Sequence, residues 1–175
     1  MDLVNVASIT TATAAIAWAI WERRRSRRMA IDPIYGIYTR VAVEARPPTE
    51  GSIIFWDVDM MRQLNTSRGY EDVDQRISTV VKQLRASRDC TLVARWYSGD
   101  EFIYNCPSDS VQAAAERIRT LFSKQGISVT IGIAPIHEGD WREAVRIASH
   151  LVQDAKRRGD RGKIYPYHSY TDKRR

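Results

Sequence analysis

Ser52-Ile53-Ile54-Phe55-Trp56-Asp57-Val58-Asp59 is a short apolar run that ends in two acidic residues. An apolar run of this length without alternation is typical of a strand that is buried on both faces, and such a strand lies in the centre of its sheet. Because unpaired buried charge is costly, carboxylates at the end of a central strand indicate a functional site rather than surface decoration. The run therefore predicts a central strand with Asp57 and Asp59 at its carboxyl end.

A second acidic stretch, Ser98-Gly99-Asp100-Glu101-Phe102, lies between two segments rich in β-branched and aromatic residues, 91–97 and 102–106. A Gly beside an Asp between two such segments predicts a tight β-hairpin. Asp is common in turns, so this stretch taken alone would be compatible with two carboxylates that only face water. Combined with the strand end, the hairpin carboxylate predicts a hard-oxygen site suited to Mg²⁺ and phosphates. Two metals there would clamp the attacking and leaving oxygens of a phosphoryl transfer.

Five motifs, in the same order along residues 31–166, resemble those of the GGDEF diguanylate cyclase family. The hairpin 98–102 resembles the family's signature, with Ser98 in place of the first glycine, and residues 55–65 resemble its strand-and-helix motif. The other three motifs are 32–40, 129–134 and 155–159. The resemblance implies a palm-like nucleotide cyclase fold, in which a ferredoxin-like core is extended by an acidic β-hairpin.

The hydrophobic pattern along the chain predicts an α+β fold, an α/β sandwich whose helices cover one side of an antiparallel-rich sheet. The expected order is β-α-α-β-β-α-β-α-β, and a helix leads into it. Helices are expected over 31–45, 59–68, 71–87, 108–123 and 140–158, and later strands over 127–134 and 162–167. Length leaves room for one domain plus an appendage, so we assign 29–168 to the cyclase-like domain and 169–175 to a frayed basic tail.

The net charge of +6 does not require a nucleic-acid partner, because much of the excess lies in residues 23–28 and in the tail from Lys156 onward. Cys90 and Cys106 have neither metal-ligand spacing nor enough partners for a disulfide framework, so reduced thiols in a cytosolic domain are expected.

Residues 3–21 contain no charged residue and are long enough to cross a bilayer, although small polar residues dilute the span. A cleaved signal peptide would need positive charge before the apolar run, and an amphipathic surface helix would need a clear polar face. Trp18 and Trp21 are placed as interfacial anchors, and five arginines follow directly. Residues 1–28 are therefore expected to form a transmembrane helix and a basic stop-transfer run, which would place a single-pass protein in the inner (cytoplasmic) membrane with its catalytic domain in the cytoplasm. Peripheral attachment stays open.

The resemblance assigns the metal site to Asp57, the carbonyl of Val58 and Asp100, with Mg or Mn as the cofactor. Asp100 and Glu101 are the implied catalytic residues, and Glu101 would accept a proton from the attacking 3′-hydroxyl or bind the second metal. Asp59 has two interpretations: it caps the helix that follows, or it takes part in metal binding.

The resemblance also assigns residues to the nucleotide. Backbone amides at a helix N-terminus would hold phosphate, an Asn and an Asp would contact the guanine edge, and a lysine would contact phosphate as a point charge. Each side chain also has an ordinary interpretation, as a polar residue near a helix end or a solvated lysine. The substrate-binding residues implied are Met60, Met61, Asn65, Asp74, Ser98, Gly99 and Lys156.

The function implied is a membrane-anchored diguanylate cyclase that joins two GTP molecules into cyclic di-GMP and pyrophosphate and acts as a homodimer. Several residues depart from the family pattern, and these departures favour an alternative, a degenerate domain that binds GTP or a cyclic dinucleotide as a regulator. A cyclase that uses adenine nucleotides is a further alternative. The departures are Ser98, Trp96 where Arg is usual, Tyr70 where His is common, Asp160 in place of a phosphate-contacting Arg, and Asp89 and Leu92 in the register of the inhibitory product site. Arg95 would compensate for Trp96, and Arg158 or Arg161 for Asp160.

Overall fold

The computed structural model describes residues 16–18, 30–97 and 99–167. Apart from residues 16–18, the anchor expected over 1–28 lies outside these ranges, as do Ser98 and the tail. No helix within the described ranges has the length and apolar character that crossing a bilayer requires.

A six-stranded sheet with the order β1-β3-β4-β2-β5-β6 forms the centre of the domain. The strand β2 lies in the interior of this sheet and is antiparallel to β4 and β5, as the apolar run predicts. The outer strands β1 and β6 pair in parallel with β3 and β5. The strands are β1 (Tyr38–Thr39), β2 (Ser52–Val58), β3 (Leu92–Arg95), β4 (Glu101–Cys106), β5 (Val129–Pro135) and β6 (Ile164–Pro166).

Helices cover both faces of the sheet, so the prediction of one covered side is wrong. The reason is the burial of β2 on both faces: Trp56 points into one core cluster and Phe55 into the other. One cluster lies under α3 and α4 and the other under α5 and α1. The helices are α1 (Arg40–Ala45), α2 (Met61–Arg68), α3 (Tyr70–Arg85), α4 (Val111–Lys124) and α5 (Trp141–Arg157).

The helix α5 packs unusually close to the sheet. A Cβ added at Gly132 of β5 would lie 2.1 Å from the backbone carbonyl oxygen of Ala148. No side chain fits in that space, so glycine at this position allows the middle of α5 to rest on the strand backbone. The final turn of α5 is thereby directed to the carboxyl end of β2.

The segment before α1 is not the helix that we predicted over 31–45; only residues 40–45 are helical. The Asp32 carboxylate accepts hydrogen bonds from the backbone amides two and three residues later, at 3.0 and 2.9 Å, and Gly36 follows with a φ of 67°. Such a side-chain turn offers the backbone an alternative to helix, and the chain then enters β1. The three longer helices and β5 agree with their predicted positions to within about three residues at each end.

Candidate active site

The pairing of β2 with β4 brings two acidic residues together. Asp57 lies directly opposite Glu101 in the antiparallel register, so both side chains leave the same face of the sheet. The contact between the two segments extends by one more residue, because the backbone N–H of Val58 donates to the carbonyl oxygen of Asp100 in the hairpin at 3.0 Å. The hairpin thus holds Asp100 and Glu101 against the end of the central strand.

This crowding of carboxylates changes the acidity of Asp57. Burial raises the pKa of Asp57 to about 6, and the negative charges of Asp100 and Glu101 add to that rise, whereas Lys156 opposes it. An elevated pKa means that the ionised carboxylate is held in an environment that disfavours its charge. A cation bound at this place would relieve that cost.

A cation already occupies part of this place, because Lys156 extends from the last turn of α5 to the end of β2. Its Nζ donates to Asp57 Oδ1 and lies 3.3 Å from the carbonyl oxygen of Val58. Both acceptors are hard oxygens, the ligands that Mg²⁺ and Mn²⁺ prefer, so the donor set fits the cofactor that we expected. Among residues 30–97 and 99–167, no three His, Cys, Asp or Glu side chains converge as a metal cluster, so the carbonyl would have to complete the set.

Asp59 has a structural task that the sequence did not show. It is 4% exposed and accepts hydrogen bonds from Ser128 Oγ and Thr130 Oγ1, each at 2.7 Å, and from the Gly162 N–H at 3.1 Å. The residue that precedes α2 is Met60, and no side chain caps the helix, so the capping interpretation of Asp59 is wrong. Asp59 instead ties β2 to β5 and to the loop before β6.

The backbone amides predicted to bind phosphate, those of Met60 and Met61, lie at the start of α2. Met60 adopts φ 55° and ψ 37°, in the left-handed region that non-glycine residues seldom adopt, and its side chain is 57% exposed. The turn allows the chain to leave β2 and begin α2 at Met61, where the first amides of the helix have no partner within it. Gly99 in the hairpin lies close to Arg95, since a Cβ there would be 3.0 Å from Arg95 Nη2.

The two predicted guanine-binding residues lie on consecutive helices. Asn65 is on α2 and Asp74 is near the start of α3, and both are half-buried. The helices meet at Gly69, whose φ of 86° allows an abrupt change of direction. Sequence reasoning missed one contact here: the buried Tyr35 donates its hydroxyl to Asp74 Oδ1 at 2.7 Å. The available signal was the presence of a tyrosine within the motif 32–40.

Trp96 is half-buried and packs against neighbouring side chains. Its ring meets Trp141 of α5 edge-on at 6.1 Å, and the Arg40 guanidinium lies 5.3 Å from its centre. Arg95 does not take over the position of Trp96, because Arg95 Nη1 binds Asp32 Oδ2 at 2.9 Å.

The other departures also have local partners or lie at the surface. Asp160 pairs with Lys163 at 2.5 Å, and Asp89, in the register of the inhibitory site, accepts from Arg117 Nη2 and from the Tyr104 hydroxyl. Arg158, Arg161 and Tyr70 are exposed.

The family model described as "Diguanylate cyclase, GGDEF domain" matches residues 37–162. Diguanylate cyclase VdcA of Vibrio cholerae serotype O1 is 27% identical over 77% of this chain and 46% of its own, so the chain spans about half the length of that relative.

Two solved structures have a similar fold. The coiled coil and GGDEF domain of DgcB from Caulobacter crescentus, in complex with c-di-GMP, has a TM-score of 0.68 at 19% identity and covers 95% of this chain and 100% of its own. The active GGEEF domain of a diguanylate cyclase from Vibrio cholerae has a TM-score of 0.56 at 26% identity, over 66% and 81% of the two chains. The first likeness confirms the α+β cyclase fold that we expected. Because the family model covers most of the described domain, the chain belongs to the GGDEF diguanylate cyclase domain family.

Proposed function

We propose that this domain is a nucleotidyltransferase, a diguanylate cyclase that condenses two GTP molecules into cyclic di-GMP. The observation that carries the proposal is the meeting of Asp57, Glu101 and Lys156 at the carboxyl end of β2, beside the hairpin with Asp100. Acidic oxygens and one lysine ammonium at a single point suit a substrate that carries phosphates and binds together with a divalent cation.

The Asp57 carboxylate, the Val58 carbonyl and Asp100 would hold magnesium or manganese. When bound, such a cation neutralises triphosphate oxygens and stabilises the charge that develops on the leaving pyrophosphate.

The remaining residues bind and orient the nucleotide. Lys156 would leave Asp57 and contact the triphosphate, and the amides of Met60 and Met61 would hold phosphate oxygens at the N-terminus of α2. Asn65 and Asp74 would contact the guanine edge, where a carboxylate can accept from the ring N–H and the adjacent amino group.

The proposed step forms a bond between the 3′-oxygen of one nucleotide and the α-phosphorus of the other. The bond between the α-phosphorus and the bridging oxygen breaks, pyrophosphate leaves, and the 3′-hydroxyl proton passes to Glu101. One domain binds one nucleotide in this scheme, so two copies must face each other across a two-fold axis, and the step occurs twice to close the ring. We therefore propose a homodimer as the active form.

The test is to incubate the purified chain with GTP and either Mg²⁺ or Mn²⁺ and to analyse the products by chromatography and mass spectrometry. Cyclic di-GMP should form, and it should be lost in Asp57→Asn but not in Glu116→Gln, which alters an exposed ion pair on α4. A folded, dimeric protein that makes no cyclic product with either metal would refute the enzymatic proposal.

A second candidate function is that of a GTP- or dinucleotide-binding regulator without turnover. It is favoured by the packing of Trp96 against Trp141 and by the Asp160–Lys163 pair, since both positions usually carry arginine in the family. Calorimetry combined with product analysis separates the two, because binding without product selects the regulator. An ATP competition in the same assay tests the adenine alternative, against which Asn65 and Asp74 argue.

We also propose that residues 1–28 anchor the protein in the inner membrane with the domain in the cytoplasm. The support is the uncharged span of 3–21 followed by five arginines. An integral anchor should stay with membranes during carbonate extraction, whereas release would show peripheral attachment. Protease added outside spheroplasts should leave the domain intact, and digestion would show the reverse topology.

A further inference from the structure

Tyr35 is a buried tyrosine whose hydroxyl contacts a proposed substrate-binding residue from another part of the chain. The side chain is 1% exposed, and its hydroxyl donates to Asp74 Oδ1 at 2.7 Å across 39 residues of sequence. The Asp74 side chain is half-buried in the first turns of α3, so this bond joins the segment before α1 to the predicted guanine site.

The position of the Tyr35 ring is fixed from several directions. Phe102 of β4 packs at 5.5 Å between ring centres, and the Arg95 guanidinium lies 5.0 Å from the centre of the ring. Asp32 holds both Tyr35 and Arg95 in place, because one carboxylate oxygen accepts from the Tyr35 backbone N–H at 2.9 Å and the other accepts from Arg95 Nη1 at 2.9 Å. Because the ring is held on these sides, the position of the Tyr35 hydroxyl oxygen is fixed beside Asp74.

The hydroxyl is also a permanent donor. Burial raises the pKa of Tyr35 well above its ordinary value, and the hydrogen bond to Asp74 raises it further. The proton therefore stays on the tyrosine throughout the physiological pH range, and Asp74 always accepts from it.

A carboxylate that accepts one fixed hydrogen bond cannot rotate freely about its last torsion. Asp74 Oδ1 gives one lone pair to Tyr35, and its second lone pair and the whole of Oδ2 stay available to a ligand. The hydrogen bond thus favours one orientation of the carboxylate plane. That orientation suits a ligand with two parallel donors, such as a ring N–H beside an amino group. Fixing this plane in advance removes the need to order it when the ligand binds.

We infer that Tyr35 is a positioning residue for base recognition, which holds Asp74 so that the site selects purines carrying an amino group beside the ring N–H. The inference rests on the proposed function, because it assumes that Asp74 contacts the base. It assigns to Tyr35 a role in substrate selection without contact with the reacting atoms. Guanine carries the amino group and hypoxanthine lacks it, so the ratio of kcat/KM for GTP and ITP measures the effect directly.

The decisive variant is Tyr35→Phe, which keeps the ring and its packing and removes only the hydroxyl. We expect the KM for GTP to rise about 5- to 20-fold with kcat changed less than twofold, because the loss falls on ground-state and transition-state binding alike. The preference for GTP over ITP should fall by a similar factor. In an Asp74→Asn background, the same change should have no further effect on that preference.

A matched control is Tyr104→Phe. Tyr104 is also fully buried and also donates its hydroxyl to an aspartate, Asp89 Oδ1 at 3.0 Å, but Asp89 follows the last turn of α3, whereas Asp74 lies near the start of that helix. It should cost a similar amount of stability and leave the preference for GTP over ITP unchanged. A purely structural role of Tyr35 would make the two variants behave alike.

The failures of the two proposals are distinguishable. If the unmodified protein prefers GTP to ITP in turnover or in calorimetric binding and Tyr35→Phe keeps that preference, the inference about Tyr35 is overturned and the proposed function stands. If the unmodified protein neither binds nor converts GTP, both are overturned. Binding measurements on the same variants give the answer even if the protein lacks turnover.

Discussion

Replacing Asp57 by Asn should stabilise the metal-free protein while removing its activity. The Asp57 side chain is 18% exposed, and burial together with Asp100 and Glu101 raises its pKa to about 6 from its ordinary value of 3.8. The difference corresponds to about 3 kcal/mol of unfavourable free energy in the folded state at neutral pH. Structural relaxation and water entry reduce such values, so we expect a gain of about 1–3 kcal/mol for the variant.

The effect has a definite pH dependence. A carboxyl with a higher pKa in the folded chain binds its proton more readily there, so its cost is absent below about pH 4, grows between about pH 4 and 6, and is constant above that range. Urea unfolding of both proteins should therefore give equal free energies at pH 4 and a more stable Asp57→Asn at pH 7.5. Equal differences at the two pH values, or a less stable variant at pH 7.5, would contradict the reasoning.

Magnesium supplies the second half of this experiment. A cation that binds only the folded protein raises the free energy of unfolding, by about 1 kcal/mol when its concentration is several times Kd. Unmodified protein should gain this stability on addition of Mg²⁺ and Asp57→Asn should gain little, so the stability difference between them narrows. An identical gain in both proteins would place the metal elsewhere.

Three further changes test other parts of the site. Asp100→Asn should lower cyclic di-GMP formation at least tenfold with unchanged thermal stability, and retention of more than about a tenth of the activity would refute its metal role. Asp59→Asn should cost about 2–4 kcal/mol in urea unfolding, because an amide cannot accept at both ends from two hydroxyls and an N–H, whereas the exposed Asp109→Asn should cost almost nothing. Gly132→Ala should cost about 3 kcal/mol or more, because the new Cβ would lie 2.1 Å from the Ala148 carbonyl oxygen, and a wild-type unfolding midpoint would show that α5 moves freely.

The features that sequence predicted best are those set by local pattern. The central position of β2 follows from an apolar run with no alternation, and the β3–β4 hairpin follows from β-branched segments around a Gly-Asp turn. The antiparallel pairing of β4 with β2 then sets Glu101 opposite Asp57. The acidic site was therefore predictable because its members lie at the ends of adjacent elements.

The features that sequence did not predict depend on partners far along the chain. Asp59 is at the end of a strand and before a helix, which is the local pattern of a cap, and only the folded chain brings Ser128, Thr130 and Gly162 to it. The bond between Tyr35 and Asp74 has the same origin, since nothing within a few residues of either one indicates the other. Side-chain hydrogen bonds between distant segments do not produce a periodic pattern in the sequence, so pattern analysis cannot predict them.

The charge balance at the end of β2 connects the fold with the proposed reaction. Asp57, Asp100 and Glu101 together carry up to three negative charges, and in the metal-free domain Lys156 offsets one of them. The close packing of α5 on the backbone at Gly132 helps to direct its last turn, which carries Lys156, to the end of β2. A divalent cation that takes over the Asp57 carboxylate and the Val58 carbonyl would displace the ammonium and leave it beside the incoming triphosphate. The same lysine would then stabilise the empty site and contact phosphate in the filled one, so its pairing with Asp57 is consistent with a role in substrate binding.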